Sequence, residues 1–248
     1  MATDAALSST RLSSPTSFRA IQPGFERLGS DHAAPRHAHF SPYISIILKG
    51  GYDQAGYLGR VRLEPGDVLL QPVLDRHESL PTGRCGVHVL RLNCGPVPGL
   101  GGLYRPAGLD DVIRLAERDP RAASGLLAEG LAKTEARAVR HRDWEDLLAH
   151  DLRLGRYGVV RWAERHGLAR ETVARGFRRA YGASPRTFAL ELRARAAWLQ
   201  IVETSTSLAA IAADAGYADQ PHMTRAVAAL TGRPPSAWRS PRPARDAP

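Results

Sequence analysis

Ser207-Leu208-Ala209-Ala210-Ile211-Ala212, then Ala215-Gly216-Tyr217-Ala218-Asp219-Gln220 and His222-Met223-Thr224-Arg225, is the stretch from which the fold is read. Leu208, Ile211, Ala212 and Ala215 recur at helical spacing and stop at Gly216, where a turn needs a residue free to take positive φ. Met223, Val227 and Leu230 predict a second helix over Gln220–Thr231, capped by Asp219 and stopped by Gly232 and Pro234-Pro235. A short helix, a glycine turn and a longer helix make a helix-turn-helix unit. The same layout occurs about 50 residues earlier: a helix around Val160–Arg165, a break at His166-Gly167-Leu168, and a helix over Arg170–Tyr181 with a Val173/Phe177/Ala180 stripe. Val159, Val160, Ala163 and His166 are expected on the inner face of the earlier short helix. Between the units, Ser184-Pro185 opens a long helix over Pro185–Glu203, with Leu192, Ala196, Leu199 and Ile201/Val202 as its apolar stripe. Two such units side by side fit successive major grooves on one face of a duplex.

The charge points to the same region. The 248 residues carry 34 basic and 25 acidic side chains, a formal charge of +9. Residues 151–248 hold 16 basic and 8 acidic groups, so nearly all the excess lies there. A polyanion partner, nucleic acid first, follows from that placement. Lys49 and Lys133 are the only lysines; codon bias explains that as well as DNA recognition does.

Working back toward the amino terminus, the pattern changes twice. Residues 108–154 are poor in proline, and Val112/Leu115/Ala116, Leu127/Leu131 and Trp144/Leu147/Leu148 predict two or three helices. Residues 18–107 hold short apolar runs, Tyr43–Leu48, Val61–Leu63, Val68–Leu70 and Val87–Leu92, broken by turns such as Glu64-Pro65-Gly66-Asp67. They predict an antiparallel sandwich or barrel. Residues 1–17 and 241–248 are expected as mobile or disordered tails. No run of 18 apolar residues predicts a membrane span. Cys85 and Cys94, the only cysteines, fit a reducing cytoplasm, and their spacing matches no standard zinc pattern. Two small buried side chains are the plain reading, with a thiol sensor as the alternative.

Arg195-Ala196-Ala197-Trp198-Leu199-Gln200, the Ser207–Gln220 segments, His222-Met223-Thr224-Arg225 and Leu230-Thr231-Gly232-Arg233-Pro234-Pro235 together resemble the signature of AraC/XylS-type transcriptional regulators. The likeness runs from about Val160 to Trp238 and implies an all-α DNA-binding domain over residues 155–240. It departs from the pattern at Ala169 and Pro221, where Ser is usual, at Met223, where Phe is usual, and at Gly176 inside a helix, which costs about 1 kcal/mol relative to Ala. The positions opposite the apolar stripes are the candidate DNA contacts: Arg170, Glu171, Ala174, Arg175 and Arg178, then Gln220, His222, Thr224 and Arg225. Arg170 suits guanine or phosphate, Glu171 cytosine and Gln220 adenine.

His37-Ala38-His39, Tyr43, Gly50-Gly51, the Pro65-Gly66-Asp67 turn and Pro72…His77 are similar to the cupin-type sensing domain of the same regulators. That likeness implies an α+β multidomain chain: a cupin-like barrel (18–107), a helical dimerisation segment (108–154) and the DNA-binding domain. His37, His39, Tyr43 and His77 are the candidate effector contacts. Metal-dependent cupins add a carboxylate about four residues after His-x-His, where this chain has Pro42/Tyr43, so no cofactor and no metal are expected, with His37, His39 and His77 as the ligands if a metal binds. The expected partners are double-stranded operator DNA, a small effector, a second copy of the chain and, for an activator, RNA polymerase; the expected place is the cytoplasm, at the nucleoid. The competing readings are a metal-binding cupin sensor or enzyme fused to a DNA-binding domain, and an architectural DNA binder without effector.

Overall fold

The computed structural model describes residues 18–239 apart from 32, 84, 85, 98, 100 and 157. Both predicted tails, and Cys85, lie outside the described residues. Nine strands come first: β1 (Gly24–Leu28), β2 (Ala34–His37), β3 (Tyr43–Lys49), β4 (Tyr52–Gly56), β5 (Gly59–Leu63), β6 (Val68–Gln71), β7 (His77–Pro81), β8 (Val87–Asn93) and β9 (Gly102–Tyr104). They pair antiparallel into two sheets, β1-β8-β3-β6-β9 and β2-β7-β4-β5.

The long apolar runs are strands buried on both faces. On β8, Val87 and Val89 join one cluster with Ile47, Tyr52, Leu63 and Leu69, while Leu90 and Leu92 join another with Ile44, Ile46 and Val68. The second cluster is closed by α1 (Leu109–Ala116) and α2 (Pro120–Leu131) through Val112, Ala116, Ala123 and Leu127. These apolar stripes, expected to serve dimerisation, thus cover a sheet of their own chain. The Pro-Gly-Asp turn has a structural use. Gly66 takes φ +88°, and the buried Asp67 accepts the Glu64 amide at 2.9 Å, the Arg105 guanidinium at 2.8 Å and that of Arg137 at 2.6 Å.

Six helices follow: α3 (Trp144–Arg153), α4 (Val159–Arg165), α5 (Arg170–Tyr181), α6 (Pro185–Glu203), α7 (Leu208–Asp214) and α8 (Gln220–Thr231), with a last turn α9 (Pro235–Trp238). No helix of the described residues is long and apolar enough to cross a membrane. The chain divides into two compact units between Leu192 and Arg193, inside α6. The first helix-turn-helix therefore packs with the strands. One cluster explains this: Ala55 of β4 and Tyr57 just after it pack with Leu148, Ala149 and Leu152 of α3, Trp162 and Ala163 of α4, Val173, Phe177 and Tyr181 of α5, and Phe188 of α6.

The helical stripes need three corrections. Leu147 of α3 is 42% exposed, and Ala149 and Leu152 are buried beside Leu148 instead. Val160 is 45% exposed and His166 is exposed, and the inner position of α4 belongs to Trp162, whose indole Nε1 donates to Asp151 at 2.9 Å. On α6 the buried set is Pro185, Phe188, Glu191, Ala194, Arg195, Ala197, Trp198 and Ile201; of the predicted stripe Ile201 belongs to it, while Leu192, Leu199 and Val202 are half-buried and Ala196 is exposed. Two buried charged residues rotated that face out of reach of an apolar-periodicity reading. Gly176 also finds its reason: a Cβ there would lie 2.5 Å from the Trp144 ring, so glycine lets α3 and α5 pack closely.

Candidate functional site

Each helix-turn-helix is built by the same local device. Ala163 and Ala212 are buried where the two helices of each unit meet. Gly167 (φ +63°) and Gly216 (φ +69°) turn the chain, and the next residue donates back into the first helix: Leu168 N to Ala163 O at 3.0 Å, Tyr217 N to Ala212 O at 2.9 Å. The starts of the second helices differ. Asp219 accepts the His222 amide at 2.6 Å, whereas Ala169 offers α5 no side-chain cap. In the carboxy-terminal unit, Arg193 donates to Gly216 O at 3.0 Å and lies over the Tyr217 ring, holding the turn of its helix-turn-helix. Met223, Val227 and Leu230 are buried beneath α8.

These stripes leave the opposite faces free. Arg170, Glu171, Ala174, Arg175 and Arg178 are all exposed on α5, and Arg179, which the periodicity did not single out, joins them. On α8, Gln220 and Arg225 are exposed and His222 and Thr224 half-buried. Arg170 stands 3.7 Å from Glu164 with both side chains in water, a pairing too exposed to hold it from a polyanion. The α5 face thus offers guanidinium donors and one carboxylate, and the α8 face a guanidinium, an amide, an imidazole and a hydroxyl, groups that can meet base edges and phosphates.

The second feature is a cavity of about 400 Å³ at one end of the strands, lined by His37, His39, Tyr43 and His77 as expected, and by Tyr52, Gln54, Ser79 and Arg91, which the sequence did not single out. That volume suits a small molecule. His37 and His77 are register partners across β2 and β7, with ring centroids 4.5 Å apart, and the His39 ring lies 4.9 Å from that of Tyr43. The Nδ1 atoms of His37 and His39 bond Pro35 O at 2.8 Å and Arg19 O at 2.6 Å. Burial lowers all three imidazole pKa values, that of His39 to about 4 and that of His77 well below its ordinary value, so the rings are neutral at pH 7. Outward from the cavity, His77 Nδ1 lies 3.1 Å from the Gln71 amide, which takes Gln54 on one side and Asp75 on the other; Asp75 in turn accepts the Tyr57 amide at 2.9 Å. Arg91 is anchored by Glu26 at 2.6 Å. Burial pushes the Cys94 thiol up to about 11, which makes it a packed side chain rather than a reactive thiolate.

Residues 162–240 match the model of a helix-turn-helix domain family, which covers both units just described. No curated protein matches the chain. Among solved structures, fatty-acid-bound ToxT from Vibrio cholerae is 14% identical over 89% of this chain and 96% of its own, with a TM-score of 0.36. The xylose-binding transcription activator XylR is 16% identical over 50% of this chain and 38% of its own, with a TM-score of 0.34. KdgF from a Halomonas species is 17% identical over 29% of this chain and 71% of its own, with a TM-score of 0.25.

Proposed function

We propose that the chain is an AraC/XylS-type DNA-binding transcription regulator in which α5 and α8 read operator DNA while the histidine-lined cavity takes a small effector; the motifs of its carboxy-terminal third and the helix-turn-helix domain match over residues 162–240 support the reading. The observation that carries the reading is the repeated division of faces: buried apolar stripes beneath α5 and α8, with arginines left outward on α5 and Gln220 and Arg225 left outward on α8. Two different recognition helices favour sequence readout over indiscriminate binding. Two copies of the chain on paired half-sites would bring four such helices to DNA. The regulator acts in the cytoplasm at the nucleoid, through RNA polymerase where it activates, and it carries out no catalysis in this reading.

Selection of a random duplex library with the full chain tests it: a defined enriched sequence is expected, and equal affinity for unrelated duplexes would replace the regulator by an architectural binder. On the enriched duplex, R170A is expected to weaken binding by about 1–3 kcal/mol. An unchanged titration at fixed salt removes Arg170 from the interface.

A specific arrangement favours a second reading of the cavity. One nitrogen from each of His37, His39 and His77 lies within 4.8 Å of the others, and all three residues are buried. Tetrahedral zinc holds its nitrogens about 3.3 Å apart, so the rings need close only modestly to bind one ion. Their neutrality suits ligation, and the carbonyl bonds at Nδ1 of His37 and His39 leave Nε2 as the free atom. A bound metal would supply a positive centre for an anionic effector. Elemental analysis of purified protein decides: one transition metal per chain establishes the metal sensor, and none leaves the imidazoles as effector contacts.

A further inference from the structure

The two strands that place His37 and His77 in the cavity also hold α5 and α6 by their other face. Successive side chains of a strand point to opposite sides. Arg36 precedes His37 on β2, and Arg76 precedes His77 at the start of β7. Both arginines turn away from the cavity and converge on one carboxylate. Arg36 Nη2 donates to Glu191 Oε2 at 2.7 Å and Arg76 Nη1 to Glu191 Oε1 at 2.8 Å. The second nitrogen of the Arg36 fork, Nη1, donates to the carbonyl of Tyr181, the last residue of α5, at 3.0 Å. Tyr57, just after β4, closes the group, its hydroxyl donating to Glu191 at 3.4 Å and its ring lying beneath Arg36. Glu191 is 2% exposed and sits two residues before α6 passes into the carboxy-terminal unit at Arg193.

Such a cluster responds to small movements. A buried carboxylate depends on its partners, and losing one leaves an uncompensated charge in the interior. Here two guanidiniums share one carboxylate, and the Nε atoms of both Arg36 and Arg76 are buried with no hydrogen-bond partner among the described residues. The set is therefore held by its outer nitrogens alone, with polar atoms left over to be paired in a second arrangement. The Gln54–Gln71–Asp75–Tyr57 chain gives the cavity wall a parallel connection to the same group.

We propose that the Arg36–Glu191–Arg76 clamp is the device that passes the state of the cavity to the DNA-binding helices: an occupant seated against His37 and His77 displaces β2 and β7, and the arginines on their reverse side reset α6 and the end of α5. The proposal rests on the reading of the cavity as an effector site and of α5 and α8 as DNA readers. Coupling of this kind changes affinity by a factor of about 5–150 and is reciprocal, so DNA must act back on the cavity strands.

The test needs no identified effector. Ser79 lies on β7 and lines the cavity, so S79F fills it with a built-in occupant. Affinity for the selected duplex is measured at one salt concentration for the unaltered chain, S79F, E191Q and S79F/E191Q, with thermal melting of each to show a folded protein. The expected result is a change of at least about fivefold on S79F and less than about twofold between E191Q and the double variant. An S79F effect that persists undiminished beside E191Q, or no S79F effect, overturns the clamp. Should a variant fail to fold, hydrogen exchange of the unaltered chain with and without the duplex decides instead. DNA is expected to alter protection of Ala34–His37 and His77–Pro81, and unchanged protection there overturns the proposal. Failure of the DNA reading shows separately, as the absence of any enriched duplex.

Discussion

Replacing Phe177 by alanine is expected to cost about 3–5 kcal/mol, the range for a large aromatic removed from a closed core. Phe177 is fully buried, stacks on Tyr181 at 4.7 Å between centroids and meets Phe188 edge-on at 5.3 Å. Its pocket has walls from α3, α4, α5, α6 and the end of β4, and five elements cannot all move inward to fill a missing ring. Because Ala55 and Tyr57 belong to the same cluster, the loss should reach the strands: denaturant unfolding is expected to shift to a lower midpoint in one transition for the whole amino-terminal unit. An F177A chain that melts its helices while the strands keep their midpoint would show the cluster to be divided. L147A, at a side chain 42% exposed on α3, is the control and should stay within about 0.5 kcal/mol.

Raising salt from 50 to 200 mM is expected to weaken binding to the selected duplex about 10³-fold. Arg170, Arg175, Arg178 and Arg179 on α5, Arg225 on α8 and Arg233 beyond it are exposed. If all six reach phosphates, released counterions give a slope of log affinity against log salt of about −5. Anisotropy titrations over a salt series measure it. A slope shallower than about −2 would mean that these guanidiniums do not reach the backbone. R179A is expected to reduce the steepness by about 1 without changing the preferred sequence, since a phosphate contact positions the protein and carries no base information.

The helix-turn-helix units were legible because each rests on local signals: a glycine turn, a cap, an apolar stripe. Both recognition helices begin and end where the sequence placed them, Arg170–Tyr181 and Gln220–Thr231. The histidines of the cavity were legible only through the likeness of His37-Ala38-His39 and Pro72…His77 to a cupin-type sensing domain. What was not legible was whatever long-range pairing decides. Arg36 and Glu191 are 155 residues apart and Arg76 and Glu191 are 115 apart, and nothing local marks a charged residue as destined for the interior. The same pairing hid the buried face of α6. Trp162 was passed over for Val160 because the apolar positions of a seven-residue helix leave its rotation undetermined; the Asp151 acceptor and the aromatic cluster fix it. Stripes on α1 and α2 say that a surface is covered, not whose surface it is.

The boundary inside α6 bears on how such a chain could be recombined or trimmed. A fragment beginning near residue 155 would strip Tyr57 from Phe188 and both arginines from Glu191, leaving a raw apolar patch around a stranded carboxylate. A fragment that keeps these contacts must run through the strands, α5 and the first two turns of α6, as far as Leu192. A sensor grafted from this chain would have to bring α5 and the first two turns of α6 with it, and on the proposed reading of α5 and the cavity, part of the operator preference would travel with the ligand preference.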